Sequence, residues 1–147
     1  GQRIELHNIE ALGYLDQRAL RDWYRRTAVF VLPSLYEPFG LVALEAGLAG
    51  CALVVSDIPT LREVWSDAAV FVPPEHPATL AREVNGLLAD EANRRQYAER
   101  ARRKARTYTV RRMAARYRRC YANLIGRTTA GPVGGMPGEP IARTHLA

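Results

Sequence analysis

The chain has 147 residues, 48% of them hydrophobic and 24% charged. That balance excludes an intrinsically disordered chain and a membrane-embedded one, and the length suits one globular core rather than two. The formal charge of +6 is unevenly spread, with net −5 over residues 1–90, +10 over 91–126 and +1 over 127–147, so the excess charge is a C-terminal block and not a property of the whole domain.

In chain order, residues 8–12 read as a short strand ending at Gly13. Asp16 is placed to cap a helix running to Arg26, with Ala19, Leu20, Trp23 and Tyr24 on one face and Arg18, Asp22 and Arg26 spaced for i,i+4 pairing. Residues 28–32, 52–55 and 69–72 (AVFVL, ALVV, AVFV) are continuous apolar runs of the kind buried on both faces of a sheet. Residues 41–49 form a helical pattern between the first two runs. Pro77 opens a helix with Leu80, Ala81, Val84, Leu87 and Leu88 on its buried face, and Asp90-Glu91 starts another with Tyr97, Ala101, Ala105 and Tyr108 in line. Thr109 caps a last helix whose apolar stripe is Val110, Met113, Ala114, Tyr117, Tyr121, Leu124 and Ile125. Strands separated by helices predict an α/β fold with a Rossmann-like, mostly parallel sheet over residues 1–126, and residues 127–147, rich in Gly and Pro, read as a disordered tail.

Cys51 and Cys120 stand far apart with no C-x-x-C, and His7, His76 and His145 are scattered. The expectation is two reduced structural thiols in a cytoplasmic protein, with no metal site. The most apolar window, residues 41–55, is fifteen residues long and contains Glu45, short of the ~20 apolar residues of a spanning helix. The first residue is Gly1 and no signal-peptide pattern follows it, which reads as a piece of a longer chain.

The chemistry is expected where the first buried strand gives way to PSLYEPFGLVALEAG, residues 33–47. Parallel sheets bind ligands at the carboxyl ends of their strands. Gly40 directly precedes a helix, so a phosphate could approach the amides of Leu41 and Val42 without a Cβ in the way, at the positive end of the dipole. Leu41, Leu44, Glu45 and Leu48 share a helical face, which puts a carboxylate on an apolar stripe, expensive unless donors satisfy it. Carboxylates repel phosphate, so Glu37 and Glu45 suit the hydroxyl-bearing part of a ligand that also carries a diphosphate. Taken alone, the same glutamates are also compatible with solvated or ion-paired surface residues, and Phe39-Gly40 with a simple turn.

These residues resemble the C-terminal domain of the two-domain (GT-B) retaining glycosyltransferases of the group 1, or family-4, type. The resemblance rests on Pro33-Ser34, on Glu37 and Glu45 separated by seven residues with Phe39-Gly40-Leu41 among them, on Leu12-Gly13-Tyr14, on Leu53-Val54-Val55-Ser56-Asp57 and on Leu61-x-Glu63-Val64. It spans about residues 8–121. It implies that Glu37 is the catalytic position and holds hydroxyls of the donor sugar, that Glu45 holds the ribose hydroxyls, that amides around Phe39, Gly40, Leu41 and Val42 meet the sugar and diphosphate, and that the backbone near Leu12 and Gly13 lies by the base. It further implies a hexosyltransferase-like enzyme of bacterial, cytoplasmic type. Such an enzyme uses a nucleotide-sugar donor and a lipid-linked or polysaccharide acceptor, without metal or other cofactor, and retains configuration through front-face attack assisted by the donor phosphate.

Two features depart from the family's pattern. Ala52 replaces a usual proline and Gly47-Leu48 a frequent Met-Ala. The family's first two strands, with the Arg and Lys that neutralise the diphosphate, and its acceptor-binding N-terminal domain are not among these residues, so the chain is expected to have an exposed sheet edge and to be inactive by itself. A non-catalytic remnant or interaction domain keeping the fold is the alternative. Thr60-Leu61-Arg62-Glu63 reads as a capping box, and Asp57 as a turn residue. The arginines of 94–119 read as solvated helix faces, or as peripheral contact with the inner face of a membrane; nucleic acid is set aside because no aromatic-basic motif accompanies them.

Overall fold

The computed structural model describes residues 8–128. The elements are α1 (Gln17–Arg26), β1 (Val29–Leu32), α2 (Leu41–Ala49), β2 (Ala52–Ser56), α3 (Pro59–Trp65), β3 (Val70–Val72), α4 (Pro77–Ala89), α5 (Glu91–Ala105) and α6 (Val110–Thr128). The chain divides into two compact units at Tyr108 and Thr109.

In the first unit the three strands form one parallel sheet in the order β1-β2-β3, with Val29 opposite Ala52 and Val54 opposite Val70. β2 is central and every one of its residues is buried, as its unbroken apolar run requires. β1 is only half-buried, because among the described residues it pairs on one side alone. The expected strand over 8–12 does not form: these residues are irregular and exposed, with Ile9 62% accessible, and no neighbouring strand among the described residues takes up their backbone groups.

Alternation along β2 divides the core in two. Leu53 and Val55 face Tyr24, Ala43, Ala46, Leu61, Trp65, Ala101 and Ala105, while Ala52 and Val54 face Val72 and Leu87 with Leu80, Val84 and Tyr97 beside them. α4 meets the second layer through Leu87, whereas Ala81 and Leu88, expected on its buried face, are exposed. The small residues of α5 account for its close approach to α2 and β2, since Ala101 and Ala105 are fully buried.

The helix starts follow the sequence. Asp16 accepts from Arg18 N and Ala19 N at 2.9 and 2.8 Å, Pro77 is the first residue of α4, and Asp90 accepts from Asn93 N at 3.0 Å. On α1 the expected i,i+4 pairing is replaced by Arg25–Asp22 at 3.0 Å, while the Arg26 guanidinium lies 5.1 Å from the Trp23 ring centre. Cys51 is buried and its Sγ donates to Tyr24 O at 3.2 Å; burial pushes its thiol up to about 11, so it stays protonated at neutral pH. Cys120 is also free but exposed.

The second unit contains α6, whose first turn is capped by Thr109, the hydroxyl accepting from Arg112 N at 3.2 Å. Its first two expected tail residues, Arg127 and Thr128, are helical; the rest of the expected tail, 129–147, lies outside the described residues.

Candidate functional site

β1 ends at Leu32, and residues 33–40 cross the carboxyl edge of the sheet to the start of α2. Two hydroxyls from the following β-α unit hold this loop. Ser56 Oγ donates to Leu32 O at 3.4 Å and Thr60 Oγ1 donates to Glu37 O at 2.6 Å. The Phe39 ring meets Tyr108 edge-on at 5.3 Å, and Tyr108 Oη donates to Val64 O at 3.1 Å.

Gly40 takes the N-cap position of α2 with φ +79°, a left-handed conformation that favours glycine. A Cβ there would lie 3.3 Å from Leu61 Cδ2 and 3.4 Å from Leu32 Cδ2. Gly40 O already accepts from Leu44 N at 3.0 Å, and no side chain caps the helix. The amides of Leu41, Val42 and Ala43 therefore point out of the first turn without an acceptor among the described residues.

The Glu37 carboxylate folds back on this start. Its Oε1 accepts from Gly40 N at 2.8 Å and Phe39 N at 3.3 Å. Of the four amides expected to meet a ligand, two are thus engaged by Glu37 and two, those of Leu41 and Val42, are open. The side chains of Leu41 and Val42 are themselves exposed, at 65% and 40%.

Glu45 sits one turn further along α2 and is exposed. Of the expected apolar stripe around it, Leu41 and Leu48 are exposed and Leu44 alone packs against the core, while the buried residues of α2 are Ala43, Ala46 and Gly47. The carboxylate therefore needs no internal donor, and it lines a cavity of about 500 Å³ with Gln17, Leu20, Arg21, Tyr24, Arg25, Leu48, Ala49 and Arg102. Tyr24 feels it: burial first, and then the Glu45 charge, raise the phenol above its ordinary value. Leu12 and Gly13 precede α1 in irregular backbone; Leu12 is 37% accessible, and Gly13 adopts φ +63° with open space where a Cβ would stand. Glu37, Phe39 and Gly40 are hydrogen-bonded into one turn, while Glu45 opens into the cavity beside α1.

α3 begins differently from its expected capping box. Its N-cap is Ile58, without a side-chain bond, Thr60 lies inside the helix and spends its hydroxyl on Glu37 O, and Glu63 is exposed. Asp57 is more than a turn residue. Arg62 grips it through both Nε and Nη2, the latter at 2.6 Å from Oδ2, and its guanidinium lies 4.7 Å from the Phe71 ring centre. The Arg62 hydrogen bonds hold the Asp57 carboxyl below its ordinary value. Ser56, Thr60 and Tyr108 were not expected at the loop. The signal for the first two is a hydroxyl residue at, or just beyond, the carboxyl end of a strand next to the site, whereas Tyr108 stands far along the chain and only packing brings it to Phe39.

Among the described residues, no group of three or more His, Cys, Asp or Glu could hold a metal ion, and no helix is long and apolar enough to cross a membrane.

The family profile described as "Glycosyl transferases group 1" matches residues 2–104. A glycogen synthase of Mycobacterium tuberculosis is 42% identical over 95 residues, 63% of this chain and 23% of that protein. A D-inositol 3-phosphate glycosyltransferase of Xylanimonas cellulosilytica is 36% identical over 118 residues, 79% of this chain and 28% of that protein. The solved sucrose-phosphate synthase of Thermosynechococcus elongatus superposes with a TM-score of 0.69 at 29% identity, covering 79% of this chain and 30% of that one. The chain thus spans less than a third of the length of each of these relatives, and its parallel sheet with flanking helices is a Rossmann-like half-domain of the GT-B fold.

Proposed function

From the chain's membership of the glycosyl transferases group 1 family, we propose that the edge formed by residues 33–45 binds the nucleotide-diphosphate sugar donor of a retaining glycosyltransferase. The observation that carries this reading is the start of α2, where the open amides of Leu41 and Val42 lie between the carboxylates of Glu37 and Glu45 in sequence and no side chain caps the helix. The diphosphate takes the helix start, where amides and dipole favour negative charge. Glu45, solvent-facing beside a cavity of about 500 Å³, takes the ribose hydroxyls. Glu37, fixed by two amides of its own turn, presents its remaining acceptor capacity to hydroxyls of the sugar.

In the transfer step the bond between the anomeric carbon and the diphosphate oxygen breaks, and the leaving group gains negative charge. Fixed amide dipoles at the α2 start stabilise that charge more than they stabilise the intact donor, which is the condition for accelerating the step. An acceptor hydroxyl attacks from the same face and passes its proton to the departing phosphate. No protein nucleophile is invoked. The acceptor is a lipid-linked or polysaccharide hydroxyl, and the setting is cytoplasmic.

Glu45→Ala in the complete protein is expected to raise the dissociation constant for a nucleoside diphosphate by at least tenfold in calorimetry, since two ribose hydroxyls lose a charged acceptor worth roughly 1.5–3 kcal/mol. Unchanged affinity removes Glu45 from the site.

α6 favours a second, separable reading, contact with an anionic membrane surface. It contains no Asp or Glu, carries Arg111, Arg112, Arg116, Arg118 and Arg119, and has an apolar stripe in which Tyr117, Tyr121 and Ile125 are exposed. Co-sedimentation with phosphatidylglycerol vesicles is expected and should weaken with added salt, while pure phosphatidylcholine vesicles leave the protein in the supernatant. Equal recovery with both, or with neither, contradicts this contact.

A further inference from the structure

The amides of Phe39 and Gly40 hold the Glu37 carboxylate within its own turn, and one side chain from outside the loop holds the residue's backbone. Glu37 lies in a loop with no regular secondary structure, and its carboxylate position depends on the backbone at residue 37. Thr60 Oγ1 donates to Glu37 O at 2.6 Å across 23 residues of sequence. Among the described residues, it is the one side-chain hydrogen bond that reaches the middle of the loop from outside it, the Ser56 contact meeting Leu32 at the loop's start at the longer distance of 3.4 Å.

The far end of that bond is anchored. Thr60 lies in the first turn of α3, between Asp57 and Arg62, which clasp each other across the β2–α3 connection while Arg62 stacks on Phe71. The next residue, Leu61, is completely buried and packs against Gly40. α3 thus touches the loop at two points, a hydroxyl on Glu37 and a leucine on Gly40, and Glu37 links those points again through its carboxylate on Gly40 N.

We infer that Thr60 is a positioning residue for the sugar end of the donor site, acting through the Glu37 carbonyl. This rests on the donor reading above. Loss of the hydroxyl frees the backbone at residue 37, so the carboxylate no longer meets the sugar hydroxyls in one place, whereas the Leu41 and Val42 amides and Glu45, which belong to α2, stay where they are. The consequence is selective: the extra affinity that the sugar confers over the bare nucleotide depends on Thr60, and the affinity for the nucleotide does not.

The test uses the complete protein in three forms, wild type, Thr60→Val and Thr60→Ser, titrated with UDP-glucose, GDP-mannose and ADP-glucose and with the corresponding diphosphates. Valine keeps the branched shape and removes the donor; serine keeps the donor. Thr60→Val is expected to weaken the preferred nucleotide sugar by about tenfold and its bare diphosphate by less than twofold, and Thr60→Ser to restore the wild-type ratio. Equal weakening of both ligands with a lowered melting temperature assigns Thr60 a purely structural role and overturns the inference. So does a Thr60→Val protein with wild-type affinity for the sugar donor. If the wild type binds none of the donors or diphosphates, the donor reading itself fails, and this inference with it.

Discussion

Trp65→Ala is expected to destabilise the protein by about 3–5 kcal/mol, the cost of emptying a fully buried aromatic site, and to lower its melting temperature by roughly 10–15 °C. Trp65 is 0% accessible and is the largest side chain completely enclosed in the core layer that α2, α3 and α5 share with β2. Its ring lies against Gly47 of α2, where a Cβ would come within 3.3 Å of Cη2 and 3.5 Å of Ala101 O. Its indole Nε1–H has no acceptor among the described residues, so Trp65→Phe, which removes that donor along with part of the volume, is expected to cost markedly less than alanine. Thermal unfolding of the three proteins checks both statements. A Trp65→Ala shift below about 3 °C would remove this ring from the centre of the packing account.

Gly40→Ala is expected to weaken nucleotide-sugar binding by about tenfold or more while also lowering stability. Residue 40 must adopt φ +79°, which costs an L-residue roughly 1–2 kcal/mol. The new methyl would also press on Leu61 Cδ2 at 3.3 Å and Leu32 Cδ2 at 3.4 Å, so strain and crowding both fall on the residue whose amide donates to the Glu37 carboxylate. Gly50, at the other end of α2, separates the two effects. It has φ +103° but open space where a Cβ would stand, so Gly50→Ala carries backbone strain with no crowding of the loop. Gly50→Ala is therefore expected to lose stability and keep donor affinity. Equal donor affinity in both variants would detach Gly40 from the site.

Elements whose determinants are local were legible in the sequence. Asp16, Pro77, Asp90 and Thr109 start helices because each satisfies or avoids an orphan amide within three residues of itself. The three apolar runs became the three strands to within a residue at either end. What depends on neighbours was not. Residues 8–12 have a strand-like composition, yet a strand exists only with a partner. The capping box at Thr60 competed with a bond to a carbonyl 23 residues away, which no local pattern announces. Asp57, whose partner Arg62 is only five positions on, was nevertheless missed, because the pair forms across the start of a helix and not along its face.

The candidate site shows the same division. Glu37, Gly40 and Glu45 were singled out by their spacing, their place after a strand and the family resemblance. Glu45 does share a face with Leu41, Leu44 and Leu48, but it needs no satisfying donor, because α2 turns its small residues, Ala43, Ala46 and Gly47, to the core and leaves the glutamate exposed beside the cavity. Gly47-Leu48, a departure from the commoner Met-Ala of the resembled family, has a physical reason in the Trp65 ring, which occupies the space a side chain at 47 would need.

Residues 33–45 are proposed to hold a nucleotide sugar with its phosphates at the α2 start and its sugar at Glu37. Isothermal titration of the complete protein and of its Glu37→Ala variant, each with one nucleotide sugar and with the matching bare diphosphate, tests this most directly. Wild type is expected to prefer the sugar-bearing ligand, and Glu37→Ala to lose that preference by about tenfold while binding the bare diphosphate at least as well as before, since a carboxylate leaves the amides of Phe39 and Gly40 and a negative charge leaves the phosphate's surroundings. A Glu37→Ala protein that keeps the full preference for the sugar, or that loses both ligands equally, would contradict it.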